Sequence, residues 1–200
     1  KDVMNAETNY ERLGKIEHRS YRPVTHAERS AVEDAVTLVE SAERPIIYSG
    51  GGVINSGNRA SELLKELARV TGFPVTNTLM GLGGYPGNDP QFIGMLGMHG
   101  TFESNMAMHD CDVMIAVGAR FDDRVTGRLS DFAPAAKKIQ IDIDRSSINK
   151  NVFVDIPLVG DAANVLEEFL AVWKQRKSTV NKKAIESWWE QIERWRNVDC

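Results

Sequence analysis

The chain has 200 residues, of which 42% are hydrophobic and 26% charged, with a formal net charge of −4 and two cysteines. That is ample apolar material for one domain, while the slight acidity excludes a basic face for nucleic acid or an anionic membrane. No apolar run approaches the ~20 residues that span a bilayer, and Cys111 and Cys200 form neither a CxxC pair nor a disulfide framework, which fits a reducing compartment.

Residues 1–25 lack sustained periodicity and read as an extended linker, with "KDVMNAE" as the exit from a preceding strand. The start at Lys1 and the stop inside "ERWRNVDC" read as the ends of a domain taken from a longer polypeptide. "HAERSAVEDAVTLVESAERP" places Ala31, Ala35, Leu38 and Val39 on one helical face, with Pro45 ending the element. "PIIYSGGG" is a short strand that enters three glycines. "NRASELLKELARVTG" follows as a helix with Leu63, Leu64, Leu67 and Val70 inward and Gly72 as its stop. "FPVTNT" is the second strand, and a glycine-rich stretch runs from Met80 to Gly100.

Thr101 caps a short helix, "TFESNMAMHDC". "DVMIAVG" is the third strand, and its almost unbroken apolar run suits a sheet covered on both faces. "KKIQIDID" is the fourth strand, "DIPLVG" the fifth, and "DAANVLEEFLAVWKQR" the helix after it. Strands alternating with helices at this spacing predict an α/β fold, a doubly wound parallel sheet of five to six strands, Rossmann-like. The domain proper spans 26–177. Residues 178–200 read as a linking amphipathic helix whose Trp188, Trp189 and Trp195 rest on something outside the chain.

In such a sheet ligands gather at the carboxyl ends of the strands, and four of these ends carry unusual residues. Gly50, Gly51 and Gly52 let backbone N–H groups approach an anion, although a tight strand-to-helix turn uses glycine too. "LGMHGT" hands Met98 and His99 to the mouth of the sheet, where a thioether and an imidazole suit a planar ring. "VGARFDDRVTG" places Arg120, Asp122, Asp123 and Arg124 just past a buried strand, and arginine there suits phosphate or carboxylate. In "IQIDID", Asp142 or Asp144 could accept ribose hydroxyls, whereas Asp161 is better placed to cap the following helix. His18, His26, His99 and His109 lack metal-ligand spacing, and no nucleophile–base pairing stands out, so the fragment itself carries no catalytic residue or metal site. These residues describe a site of nucleotide-cofactor size.

"GARFDDRVTG", with "TLMGLGGYPGNDP", "LGMHGT" and "IQIDIDRSSINKN", resembles the acetohydroxyacid (acetolactate) synthase large subunit, a thiamine-diphosphate enzyme of three α/β domains. The likeness covers essentially the whole chain and corresponds to the central domain, between a pyrimidine-binding and a pyrophosphate-binding domain. It implies FAD in an extended pose. Gly50, Gly51 and Gly52 would line its diphosphate part, and Thr78, Leu79 and Met80 its flavin side, with Gly97, Met98 and His99. Gly118, Arg120 and Val125 would touch it from the next strand end, Asp142 and Ile143 its adenine-ribose end, with Asp161 and Ala162 nearby.

Asp123 and Arg124, beside Met98 and His99, would lie at the substrate channel. There the arginine would meet a 2-keto-acid carboxylate, held by its neighbouring aspartate. The resemblance further implies condensation of pyruvate with pyruvate or 2-ketobutyrate and loss of CO₂. Thiamine diphosphate and Mg²⁺ would be bound by the flanking domains, so the isolated fragment would bind FAD at most. A catalytic homodimer or tetramer with a small regulatory subunit is implied, in the cytoplasm of a bacterium or in a plastid or mitochondrion of a eukaryote. The alternatives are another thiamine-diphosphate enzyme of pyruvate oxidase or glyoxylate carboligase type, against which "RFDDRVTG" speaks, and a spacer domain with a decayed nucleotide site.

Overall fold

The computed structural model describes residues 2–9 and 22–198. The readings of His18 and Cys200 lie outside these residues. Within the segment expected to be extended, α1 (Asp2–Asn5) is a single exposed turn. Helix α2 (Arg29–Glu40) buries Val32, Ala35, Val36 and Val39. The apolar stripe is therefore rotated slightly from the expected one, with Ala31 and Leu38 at its margin. The helix stops at Glu40, five residues before Pro45, which instead opens β1 (Pro45–Ser49).

The triple glycine leads into a short helix, α3 (Gly51–Ser56), and after Gly57 the chain re-enters helix as α4 (Asn58–Thr71). Leu63, Leu64 and Leu67 face inward as expected, while Val70 is exposed and Ala60, Ala68 and Thr71 complete the buried stripe. Gly72 ends the helix in the left-handed conformation, φ 75°, which a side chain would resist. Strand β2 (Val75–Asn77) follows, and the glycine-rich stretch contains a further strand, β3 (Phe92–Met95). Thr101 caps α5 (Phe102–Asp110), accepting the Ser104 N–H.

Strand β4 (Val113–Val117) is buried at every position. Next come the one-turn helix α6 (Asp123–Thr126), β5 (Lys137–Asp142) and β6 (Ile156–Val159). Two fifteen-residue helices, α7 (Ala162–Arg176) and α8 (Lys182–Arg196), complete the described chain. No helix among the described residues is long and apolar enough to cross a membrane.

The six strands lie in the order β3-β2-β1-β4-β5-β6, and every pairing is parallel. The chain winds outward from β1 to β3, then crosses back to the other side of β1 at β4. The crevice for a ligand in such a sheet opens at that reversal, between the carboxyl ends of β1 and β4. Alternation splits the core into two layers. Ile47, Ile115, Ile139 and Leu158 face α2, α4 and α7. Ile46, Tyr48, Met114 and Ala116 face α5, α8 and the segment from Ala119 to Ala136.

The tryptophan-bearing helix rests on this chain, not on something outside it. Trp188 Nε1 donates to Pro45 O at 2.9 Å and Trp189 Nε1 to Gly72 O at 2.8 Å. The Trp195 ring meets Trp188 edge-on at 5.6 Å. Both acceptors sit at the amino edge of the sheet, so α8 closes the end opposite the strand tips that carry the candidate residues.

Candidate functional site at the carboxyl edge of the sheet

The carboxyl tips of β1 and β4 touch through glycine. Gly50 N–H donates to Val117 O and Gly52 N–H to Gly118 O, each at 2.9 Å. A Cβ on Gly50 would stand 2.3 Å from Gly118 O, and one on Gly52 2.5 Å from Gly118 Cα. Two of the three glycine N–H groups are thus committed to the neighbouring loop. The glycines at 50 and 52 exist first to let two backbones meet, and only Gly51, against Met80 Cβ, faces the mouth.

The next tips join the same rim. Thr78 N–H donates to Ser49 O (2.8 Å), and the Thr78 hydroxyl accepts the Gly81 N–H (2.9 Å). This one-turn anchor leaves Leu79 and Met80 69% and 75% exposed, a pair of apolar side chains held open to solvent. Just past β3, Gly97 is gripped twice by Asn105 of α5, which accepts its N–H and donates to its carbonyl. Met98 N–H reaches Arg124 O at 3.3 Å, which binds this loop to the one after β4. Met98 and His99 are exposed. Gly50–Gly52, Thr78–Met80, Gly97–His99 and Gly118–Val125 therefore form one contiguous rim.

The remaining expected residues gather beside β5 and β6. Asp142 is half-buried, and burial pushes its carboxyl up from the ordinary value despite an N–H bond from Asp144. Ile143 is 44% exposed beside it. Asp161 caps α7, accepting N–H groups of Ala163 and Asn164, and also takes the Ser56 hydroxyl at 2.8 Å. Ala162 is buried. Arg120 lies close enough to Asp142 for its charge to offset part of the burial cost, so it links the two groups.

The charged loop departs from expectation in one detail. Its ion pair joins Arg120 to Asp122 (3.6 Å), and no carboxylate lies within bridging distance of Arg124 among the described residues. Asp122 instead organises the backbone, accepting the Arg124 N–H with its side chain and the Val125 and Thr126 N–H groups with its carbonyl. Its pKa falls below the usual carboxylate value, first through a hydrogen bond shared with Asp123, then through the Arg124 N–H. Beneath the loop the ring of Tyr48 sits 6.2 Å from that of Phe121. Burial pushes the Tyr48 phenol up, and the nearby Asp122 charge adds to this.

A pocket of about 230 Å³ lies between Arg120–Asp123 and Ser147, Lys150 and Asn151. Small-molecule pockets run from about 300 to 1,000 Å³, so this pocket is too small to enclose a dinucleotide, for which only the open rim offers the length. The rim suits one: apolar Leu79, Met80 and Met98 offer a surface to a planar ring, Arg120 a cation to a phosphate, and Asp142 an acceptor to a ribose hydroxyl. No group of three His, Cys, Asp or Glu side chains converges among the described residues. Sequence reading missed the fully buried Ser49, Asn77 and Gln140 beneath the tips, where Ser49 Oγ, the Asn77 amide and Gln140 Oε1 have no partner among the described residues.

Residues 32–169 match the family model described as thiamine pyrophosphate enzyme, central domain. The chain belongs to that family. It is also similar along its whole length to the acetolactate synthase large subunit of Haemophilus influenzae, 45% identical over 202 residues, and to the isozyme 3 large subunit of Escherichia coli, 43% identical over 202 residues. A probable acetolactate synthase large subunit of Methanocaldococcus jannaschii is 46% identical over 195 residues, 96% of this chain and 32% of its own length. The chain spans 35% of the length of the two bacterial relatives. A thiamine pyrophosphate central domain is thus displayed on a Rossmann-like sheet.

Proposed function

We propose that this chain is the central domain of an acetolactate synthase large subunit and that its carboxyl rim holds FAD in an extended pose. Residues 1–25 and 178–200 then lead to and from the flanking domains. The observation that carries the reading is the contiguity of Gly50–Gly52, Thr78–Met80, Gly97–His99 and Gly118–Val125 on one edge of a parallel sheet, in a chain 43–46% identical to such subunits. The diphosphate runs past Gly51 with Arg120 as its counter-ion, the flavin lies on Leu79, Met80 and Met98, and Asp142 takes the ribose hydroxyls at the far end.

Arg124 and Asp123 stand on the outer side of the same loop, at the entrance for a 2-keto acid. An unpaired guanidinium there binds a carboxylate in a bidentate manner. Thiamine diphosphate with its Mg²⁺, held by the flanking domains, supplies the carbanion chemistry that joins pyruvate to pyruvate or 2-ketobutyrate with loss of CO₂. This chain contributes no reacting group: it binds the flavin, orients the incoming carboxylate and anchors the other domains. The catalytic unit is a homodimer or tetramer joined by a small regulatory subunit.

The test is purification of the full polypeptide followed by assay with pyruvate. A yellow protein that releases CO₂ from pyruvate and forms acetolactate is expected. A colourless protein that gains no absorbance near the flavin bands when mixed with FAD would remove the cofactor reading. A yellow protein inert with pyruvate would remove the substrate reading.

A further inference from the structure

The last backbone bond between β4 and β5 runs from Gly118 N–H to Ile141 O, at 2.8 Å. Beyond it, residues 119–122 continue in an irregular segment with alternating burial. Ala119 and Phe121 are 2% and 3% exposed, while the Arg120 side chain is 74% exposed. Among the described residues no strand runs beside this segment, yet buried carbonyls need donors. Two side-chain amides meet that need. Gln140 Nε2 donates to Ala119 O at 3.3 Å, and Asn151 Nδ2 donates to Phe121 O at 2.7 Å, across thirty positions of sequence.

Gln140 is an unfavourable choice for the core. It is fully buried, and its Oε1 has no partner among the described residues, where methionine would fill a similar volume without a polar atom. Tyr48, Ala116 and Gln140 are neighbours across β1, β4 and β5, so the amide sits on the face covered by this loop. Asn151 lines the same pocket as Arg120, Phe121, Asp122 and Asp123.

We propose that Gln140 and Asn151 are positioning residues, whose amides stand in for a missing neighbouring strand and fix the height at which the loop presents Arg120 and the Asp122–Arg124 run. The role in substrate capture rests on the reading of Arg124 given above, whereas the clamp itself does not. Its removal frees the loop without loosening the sheet.

The experiment compares Gln140→Met and Asn151→Leu in the full polypeptide, by amide hydrogen exchange of peptides covering 119–127 and by pyruvate kinetics. Exchange in 119–127 is expected to rise roughly three- to tenfold, and KM by a similar factor, with kcat within about twofold and β4 and β5 unchanged. Unchanged exchange in 119–127 would overturn the clamp. Acceleration spread over β4 and β5 with a lowered melting temperature would also overturn it, because the amides would then only hold the core. Acceleration confined to the loop with an unchanged KM would uphold the clamp and refute the substrate role of Arg124.

Discussion

Gly52 and Gly118 meet backbone to backbone: a Cβ added to either would come within 2.6 Å of the other's Cα. Gly118 also has φ 58°, in the left-handed region that favours glycine. This contact sets the width of the crevice between β1 and β4, so Gly52→Ala should force the two tips apart. Overpacking of this kind costs about 3 kcal/mol, with loss of flavin retention in parallel. Chemical denaturation and absorbance of the purified variant check both.

Tyr48 offers the opposite case. Its hydroxyl is buried, raised in pKa by burial, and without a partner among the described residues. Tyr48→Phe keeps the ring against Phe121 and removes the unpaired group. The variant should be more stable by about 1 kcal/mol, read from the denaturation midpoint at constant slope.

Asp142 links stability to pH. Its folded-state pKa is raised by burial, so the folded state holds the proton more tightly than the unfolded chain does. Its favourable contribution is present below the unfolded carboxyl pKa and is lost as pH rises through the raised folded value. At neutral pH the ionised group is therefore a net cost. Asp142→Asn should raise the melting temperature at pH 7, flatten its dependence in the acidic range, and weaken flavin binding through loss of the ribose acceptor. Melting curves from pH 3 to 7 and a flavin titration test the two halves separately.

Arg124 projects from α6 with no carboxylate partner among the described residues, unlike Arg120, which pairs with Asp122. Arg124→Ala in the full polypeptide should raise KM for the 2-keto acid roughly 10- to 100-fold while leaving flavin retention intact. Arg120→Ala should do the reverse. Steady-state kinetics and flavin absorbance on the two variants distinguish them.

Trp188 governs the other end of the sheet. It is buried and hydrogen-bonded to Pro45 O, where β1 begins. Trp188→Ala should cost about 4 kcal/mol without altering residues at the opposite edge, as calorimetry and flavin titration would register.

Five of the six strands were legible because each is a short run of β-branched or aliphatic residues bounded by glycine or charge. Strand β3 was not. It carries Gly94 at φ 92°, pairs only with β2, and does so through a register shift, so its four residues give no clean periodicity. The apolar face of α8 was visible, but a hydrophobic stripe does not say what covers it, and the bonds to Pro45 and Gly72 are tertiary. The triple glycine is compatible with an anion cradle and with a tight strand-to-helix turn, and the close approach of Gly50 and Gly52 to Gly118 is a tertiary contact that no run of glycines announces. Gln140 left a trace: in "KKIQID" the residues Lys138, Gln140 and Asp142 alternate with isoleucine, and all three polar positions face the layer under the loop. A buried glutamine in that alternation marks a carbonyl to be held, but which carbonyl depends on the fold.

The proposed function rests on FAD lying along the carboxyl edge of the sheet. Amide hydrogen exchange of the full polypeptide, with and without FAD, measures this most directly. Protection is expected together at 50–52, 78–81, 97–99, 118–125 and 142–143, the loops at the carboxyl edge. Protection confined to the amino edge near Pro45 and Gly72, or absent from all of these tips in a protein that retains flavin, would contradict it.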